Sequence, residues 1–155
     1  MIISDTDFLS SFAKIGRVNL IFEVLKVKEI TITNAVYEEL KKSSFFENLH
    51  PYFSDGNKNR IRIEKESEAE RIEKFGLGET ESINLAVQKK AKLLMDDRAA
   101  GKYAESKGID VIDIPAFLFY CKEKKRLNSS EIKEIISDLK SNDYYEFESG
   151  SGDFY

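Results

Sequence analysis

The stretch KLLMDDRAAGKYAESKGIDVIDI, residues 92–114, decides the fold that this sequence predicts. Its first residues, Lys92–Met95, form an apolar run that is typical of a buried strand and ends at two acids. Residues 98–107 have a helical pattern that Gly108 closes, and the apolar residues 109–114 predict a second strand. A strand, a helix and a strand in this order predict two parallel strands joined by a right-handed crossover.

Strands and helices alternate over the rest of the chain as well. Apolar or alternating β-branched runs predict strands at residues 1–4, 29–33 and 61–64. This order predicts a single α/β domain over residues 1–140, with a central parallel sheet of four to five strands flanked by helices. The remaining residues, 141–155, form an acidic and aromatic C-terminal tail.

Polar residues indicate where helices begin. Thr6 or Asp7 is expected to cap the first helix, and Thr33 or Asn34 the helix that follows the strand at 29–33. These side chains accept hydrogen bonds from the free N–H groups of a first helical turn, so they favour the start of a helix over its interior.

Two segments between the predicted strands are polar. Residues 43–60 are expected to form a long loop of the kind that is often mobile or functional. Ser67 and Glu70 match a capping box, which predicts a charged helix that runs to Lys74.

Four of the 28 acidic residues are placed differently from ordinary surface charges. Asp5 and Asp97 each follow a predicted strand directly, and ligands of open parallel sheets bind at the carboxyl ends of strands. Glu79 begins a helix, where the helix dipole favours its charge. Glu39 lies inside a helix near its apolar face, where an acid costs free energy unless it is paired or bound to a metal.

The residues alone leave two interpretations of these acids open. In one, they converge on a metal site, because a hard divalent cation removes the repulsion between neighbouring carboxylates. In the other, they have four independent roles: two turn acids, a helix cap and an amphipathic helix acid. Cys121 lies in an apolar stretch and His50 in a polar loop, so neither is a candidate ligand. A metal site would therefore favour Mg²⁺ or Mn²⁺ over Zn²⁺.

Four stretches in this order resemble the PIN-domain nucleases, and in particular small prokaryotic proteins of the VapC-toxin type. They are IISDTDFLSSFAKIGR, ITNAVYEELKK, GLGETESINLAVQKKAKLLMDDRAA and GIDVI. Each stretch alone is a weak signal, whereas their order and spacing together are fairly specific. The resemblance implies a PIN-like fold over most of the chain.

The resemblance also implies which residues form the site. Asp5, Glu39, Glu79 and Asp97 match the four catalytic acids of the family. Asp5, Glu79 and Asp97 would bind the metal, while Asp96 is either an auxiliary ligand or the true fourth acid.

Three further residues are expected at the substrate. Asp7 stands where the family often has Asn or Ser near the metal, Thr6 would orient a ligand or a water molecule, and Arg98 would contact a phosphate. A departure from the family is Gly101, because close relatives usually have a basic residue at this place.

What the resemblance implies is Mg²⁺- or Mn²⁺-dependent hydrolysis of RNA phosphodiester bonds. It extends to a homodimer and to the toxin of a toxin–antitoxin pair, with an antitoxin protein as partner. The single cysteine and the absence of an apolar run of about 18 residues predict a cytoplasmic protein without membrane association. The alternative is a PIN-like module that binds RNA or a partner protein without hydrolysis.

The net charge of −4 at first argues against a nucleic-acid substrate, since such proteins usually carry a basic surface. Residues 141–155, however, hold four acids and no Lys or Arg. Without them, acids and bases are equal at 24 each. The position of the charges is therefore more informative than their sum.

Overall fold

The computed structural model describes residues 1–54, 56–65 and 71–142. Within these residues, five strands and seven α-helices alternate along the chain, together with two short 3₁₀ helices, Phe46–Asn48 and His50–Phe53. The α-helices and strands are β1 Ile2–Ser4, α1 Thr6–Lys14, α2 Val18–Leu25, β2 Glu29–Thr33, α3 Asn34–Lys41, β3 Arg60–Glu64, α4 Leu77–Lys89, β4 Lys92–Leu94, α5 Arg98–Ser106, β5 Val111–Ile112, α6 Ile114–Glu123 and α7 Ser129–Asn142.

All five strands form one parallel sheet in the order β3-β2-β1-β4-β5. The chain runs outward from β1 through β2 to β3 and then crosses to the other side of β1, where Ser4 pairs with Leu94 of β4. The strands are therefore added toward one edge of the sheet up to β3 and toward the other edge from β4 onward. Ligands of open parallel sheets bind at the point between β1 and β4 where this order switches. The predicted α/β class and parallel sheet are confirmed, with five strands.

Helices cover both faces of the sheet, because successive side chains of a strand point to opposite sides. Ile2 and Leu94 belong to the larger core, which also receives side chains from α1, α2, α3, α6 and α7. Ile3 and Leu93 belong to a second core that α4 and α5 cover. The short strands are buried on both faces, which explains their continuous apolar sequence.

Two predicted boundaries differ from the structure. The cap of α1 is Asp5, whose side chain accepts from the N–H of Phe8, whereas Thr6 or Asp7 was expected. The last strand is only Val111–Ile112, because Asp113 already caps the next helix and accepts from Ala116. The N-cap of α3, directly after β2, is Thr33, which is one of the two residues that the sequence predicted.

The segment before α4 is not the helix that the sequence predicted. Residues 71–74 are not helical, and Phe75 packs into the second core. Burial of this aromatic ring competes with helix formation by the charged residues around it. The capping box at Ser67 and Glu70 lies outside the described residues.

Between α3 and β3, aromatic packing gives order to the polar segment that was expected to be a long loop. The ring of Phe46 stacks on that of Phe53 with centroids 5.8 Å apart, and Tyr37 of α3 contacts both rings. Tyr52 stacks on Phe22 of α2. Aromatic rings bury large areas, so these contacts offset the polar composition of the segment.

The remaining expectations concern single residues and the end of the chain. Cys121 is buried, and this burial raises the pKa of its thiol to about 12, while His50 is exposed. Helix α7 continues to Asn142, two residues beyond the predicted domain end, and the rest of the tail lies outside the described residues. No helix in the described ranges combines the length and the apolar character that a membrane span requires.

Candidate active site

Asp5 lies at the junction of β1 and β4, at the carboxyl end of the sheet. Its backbone N–H donates to the carbonyl of Leu94 over 2.9 Å, which fixes the first residue after β1 against the end of β4. Its carboxylate Oδ1 accepts from the N–H of Phe8 over 2.9 Å and so caps α1. Both contacts hold Asp5 in a buried position, with 1 % of its surface exposed.

The second oxygen of this carboxylate, Oδ2, is buried and has no hydrogen-bond partner among the described residues. Burial raises the pKa of the Asp5 carboxyl well above its usual value, against the smaller opposing effect of the Phe8 N–H. The negative charges of Asp7, Asp96 and Glu79 raise it further. A buried carboxylate without a partner is costly, so this group favours either a proton or a cation.

The two acids after β4 each hold the start of a helix. Asp97 caps α5, because its Oδ1 accepts from the N–H of Ala100 over 2.8 Å. Asp96 accepts from the N–H of Ile114, the first residue of α6, over 3.1 Å. Both side chains are partly buried. Asp96 acts electrostatically on Asp5 and Asp97 on Glu79, so the structure places both acids in the same cluster.

Glu79 lies in the first turn of α4, where the partial positive charge of the helix end favours an acid. Burial nevertheless raises the pKa of its carboxyl, and the charges of Asp97, Asp7 and Glu39 add to this effect. Burial and the neighbouring acids together therefore raise the pKa of Glu79 although it lies at the favourable end of its helix. Each of the other three predicted catalytic acids, Asp5, Glu39 and Asp97, therefore lies within electrostatic range of Glu79.

Glu39 differs from the expectation that its helix would hold it at the margin of the core. The residue is exposed, and contacts to two other elements position its carboxylate. The hydroxyl of Thr6 donates to Oε2 of Glu39. Neighbouring Glu38 points elsewhere, as expected, and pairs with Lys41 at 3.1 Å.

Gly78 is the second contact of Glu39, and sequence reasoning did not single it out. A Cβ atom at Gly78 would lie 2.8 and 2.9 Å from the two carboxylate oxygens of Glu39. Real Cβ atoms do not approach oxygens so closely, so only glycine leaves room for this carboxylate. The signal in the sequence is a glycine in the first turn of a helix, directly before Glu79, where alanine would be the better helix former.

Glu81 is a second residue that the sequence did not reveal. Its Oε2 accepts from the N–H of Ala35 in the first turn of α3 over 2.8 Å. This contact joins α4 to the start of the helix that carries Glu39. The first N–H groups of a helix have no partner within it, so an acid from another helix is a suitable acceptor.

We expect Glu81→Ala to lower the free energy of unfolding by about 1 kcal/mol, because it leaves the Ala35 N–H without its acceptor. Glu81→Gln keeps an acceptor oxygen and should lose less than half of that. Urea unfolding of both variants measures the difference. An alanine variant as stable as the wild type would show that the contact contributes nothing.

Whether a metal fits this cluster is decided by the donor atoms. No group of three or more His, Cys, Asp and Glu side chains in the described part of the chain is arranged as a ready-made metal site. The acids lie within electrostatic range rather than around one point. Yet the unpartnered Oδ2 of Asp5 is an oxygen donor beside Asp7, Asp96 and Glu79, and this chemistry suits a hard divalent cation.

The predicted substrate-binding residues lie around the same cluster. Arg98 is exposed and follows Asp97 at the start of α5, while Asp7 is exposed in the first turn of α1 and acts on Asp5 and Glu79. Thr6 is bonded to Glu39, so it holds a member of the cluster.

Comparison with known proteins gives a family and a fold. The family model DUF3368, described as a PIN domain, matches residues 1–149. None of the curated proteins matches the chain significantly.

Two solved structures show the same fold. One is a PilT N-terminus domain protein from the hyperthermophilic archaeon Sulfolobus solfataricus P2, with a TM-score of 0.51 and 15 % identity over 95 % of this chain and 100 % of that one. The other is a domain of a functionally unknown protein from Methanocaldococcus jannaschii DSM 2661, with a TM-score of 0.50 and 21 % identity over 73 % of this chain and 89 % of that one.

Proposed function

The chain belongs to the PIN-domain family, whose members are generally nucleases, and on this premise we propose that it is a metal-dependent endoribonuclease. Its substrate is RNA and its reaction is hydrolysis of a phosphodiester bond. The reaction takes place at the acid cluster that contains Asp5, Glu39, Glu79 and Asp97.

One observation carries this proposal most directly: the buried and unpartnered Oδ2 of Asp5, surrounded by further acids. The pKa values of Asp5 and Glu79 are both raised, and such perturbed acids are typical of functional sites. The helix-capping bond of Asp5 uses only Oδ1, so capping alone does not account for its buried Oδ2, which has no partner among the described residues. This makes a metal centre the better explanation of the two that the sequence left open.

Asp5, Glu79 and Asp97 would hold Mg²⁺ or Mn²⁺, with Asp96 as a further oxygen donor. Such an ion, when bound, polarises a phosphate oxygen and lowers the pKa of water. The exposed carboxylate of Glu39 accepts a proton from the attacking water, and Thr6 and Gly78 hold it in place for this role.

The charge of Arg98 attracts a substrate phosphate at the edge of the cluster, where guanidinium groups bind phosphate oxygens in pairs of hydrogen bonds. Asp7, across from it in α1, adds negative charge beside Asp5 and so increases the preference of this site for a cation.

The alternative is a module that binds RNA without cleaving it, and an assay of cleavage separates the two. We expect the chain to cut single-stranded RNA with Mn²⁺ or Mg²⁺ and not in EDTA. Asp97→Asn should lower the rate by about 100-fold or more, since it removes a charged donor while asparagine still caps α5.

Asp110→Asn is the matched control, because this exposed acid precedes β5 at the opposite end of the sheet. It should cleave at the wild-type rate. Cleavage that persists in EDTA or in the Asp97→Asn variant would refute the metal-dependent reaction. Binding without cleavage under both metals would favour the binding module.

The resemblance to VapC-type toxins extends the proposal to a homodimer and to an antitoxin protein as partner. The single cysteine of the sequence favours the cytoplasm as the compartment.

A further inference from the structure

A groove with a basic and aromatic lining runs beside α4, away from the acid cluster. Its volume is about 640 Å³, and the segment before α4 forms one wall while α4 and α5 form the others. Among the described residues, its lining includes Arg71, Lys74 and Lys107 as bases, Glu73 as the one acid, and the ring of Tyr103. We name this surface the α4–α5 groove.

Among the described residues, no acid forms an ion pair with the bases of the groove. None of the ion pairs between described residues uses Arg71, Lys74 or Lys107. By contrast, Arg62 and Lys89 both pair with Glu64, Lys89 at 3.3 Å. The groove is therefore a local concentration of positive charge on a chain that is acidic as a whole.

Tyr103 presents an aromatic ring at the centre of this charge. The ammonium groups of Lys74 and Lys107 lie 5.2 and 5.5 Å from its ring centroid. Phe75 contacts the same ring edge-on, with centroids 5.6 Å apart, and is itself buried in the second core. An aromatic ring flanked by two ammonium groups is a suitable surface for a base flanked by phosphates.

The groove begins about one helical turn along α4 from the acid cluster and extends away from it. Glu79, Ile83 and Val87 follow at intervals of four, so they lie on one face of the helix, and the last two line the groove. One helical turn, about 6 Å, separates Glu79 from Ile83. A strand that passes the acid cluster is therefore within reach of the groove.

We propose that the α4–α5 groove binds single-stranded RNA beside the cleavage site, with phosphates on Lys74 and Lys107 and a base on Tyr103. This inference rests on the proposed nuclease function. Single strands are favoured over duplexes because only unpaired bases expose a face to an aromatic ring.

Binding measured in EDTA tests the groove separately from cleavage. The probe is a fluorescently labelled single-stranded oligoribonucleotide, followed by anisotropy. We expect Lys107→Ala to raise the Kd by about 3- to 10-fold, and the double variant with Lys74→Ala to raise it further. Each lost phosphate contact should reduce the slope of log Kd against log salt concentration by about 0.7.

Lys124→Ala is a closely matched control. Lys107 and Lys124 are the C-caps of α5 and α6, and each lies over the tyrosine four residues earlier, Lys124 over Tyr120 at 5.8 Å. Both substitutions remove one charge and one contact with a ring, but only Lys107 faces the groove. The control should bind within about twofold of the wild type.

Equal affinities of the Lys107→Ala and Lys124→Ala variants would overturn the groove proposal, as would the absence of measurable RNA binding by the intact chain. Duplex RNA that binds as tightly as the single strand would also overturn it. So would a poly-glutamate peptide of the same charge that binds as tightly, and this result would indicate a surface for acidic proteins. If the intact chain binds RNA through the groove but shows no metal-dependent cleavage, only the proposed nuclease function is contradicted.

Discussion

Asp5→Asn should abolish cleavage while leaving the fold intact. We expect the rate to fall by about 10²–10³-fold, because a metal centre supplies several kcal/mol of charge stabilisation and about 1.4 kcal/mol corresponds to a factor of ten. Asparagine keeps the oxygen that accepts from Phe8, so α1 keeps its cap. Asp5→Asn also removes a buried charge, so the free energy of unfolding in EDTA at pH 7.5 should stay equal or rise by about 1 kcal/mol.

The pH dependence of stability gives this prediction a direction. The folded state raises the pKa of Asp5 above its value in the unfolded chain, so the folded state binds this proton more tightly. The contribution is therefore fully present below the unfolded pKa of about 4 and is lost as the pH rises through the folded pKa. Without metal, the wild type should lose stability relative to the Asp5→Asn variant as the pH increases.

Urea unfolding of both proteins in EDTA between pH 4 and 8 measures this difference. Both proteins carry the same other carboxylates, so the contributions of these groups to the pH dependence largely cancel. Added Mn²⁺ should raise the Tm of the wild type and not that of the variant, because only a ligand that binds the folded state stabilises it. A variant that cleaves normally, or a stability difference that does not change with pH, would contradict the assignment of Asp5.

Gly78→Ala should lower the cleavage rate by about 10- to 100-fold with little change in stability. The new Cβ would lie within 3 Å of both carboxylate oxygens of Glu39, so this carboxylate must move away from Thr6. Its displacement removes the acceptor for the proton of the attacking water. Complete loss of such an acceptor lowers a rate by about 10²–10⁴-fold. The free energy of unfolding should change by less than about 1 kcal/mol, because the better helix propensity of alanine offsets the displacement.

Gly101→Ala is the matched control within another helix. A Cβ at Gly101 would lie 3.5 Å from Val111, an ordinary van der Waals contact, so alanine fits there. It should stabilise the protein by about 0.5–1 kcal/mol and leave cleavage unchanged. If Gly78→Ala cleaves as fast as Gly101→Ala, the position of Glu39 has no part in the reaction.

Local patterns predicted most of the fold. The apolar run before Asp96 and the alternating residues 29–33 are strands, because strand formation follows from residues that are neighbours in sequence. The prediction failed at residues 71–74, where burial of Phe75 in the second core competes with local helix propensity. It failed also within residues 43–60, where the ring of Tyr37 in α3 contacts Phe46 and Phe53 of two short 3₁₀ helices.

The site divides in the same way. Asp5, Glu79 and Asp97 were predicted as site residues because each lies next to a strand or helix end that the sequence marks. The sequence expected Glu39 to be the acid at the core margin, whereas Asp5 is the buried one and Glu39 is exposed. Burial depends on which elements pack above a residue, and spacing along one helix does not contain this information.

The sequence by itself determined the alternation of strands and helices and the position of the acids at their ends. Three features became apparent only from the tertiary structure. They are the Oδ2 of Asp5, which has no partner among the described residues, the contact of Gly78 with Glu39, and the hydrogen bond from Ala35 to Glu81. The tertiary structure also brought Lys74 and Lys107 to the same ring. The bonds from Thr6 to Glu39 and from Ala35 to Glu81 join residues 33 and 46 positions apart. Such contacts form only when the sheet has brought their helices together, and no local pattern encodes them.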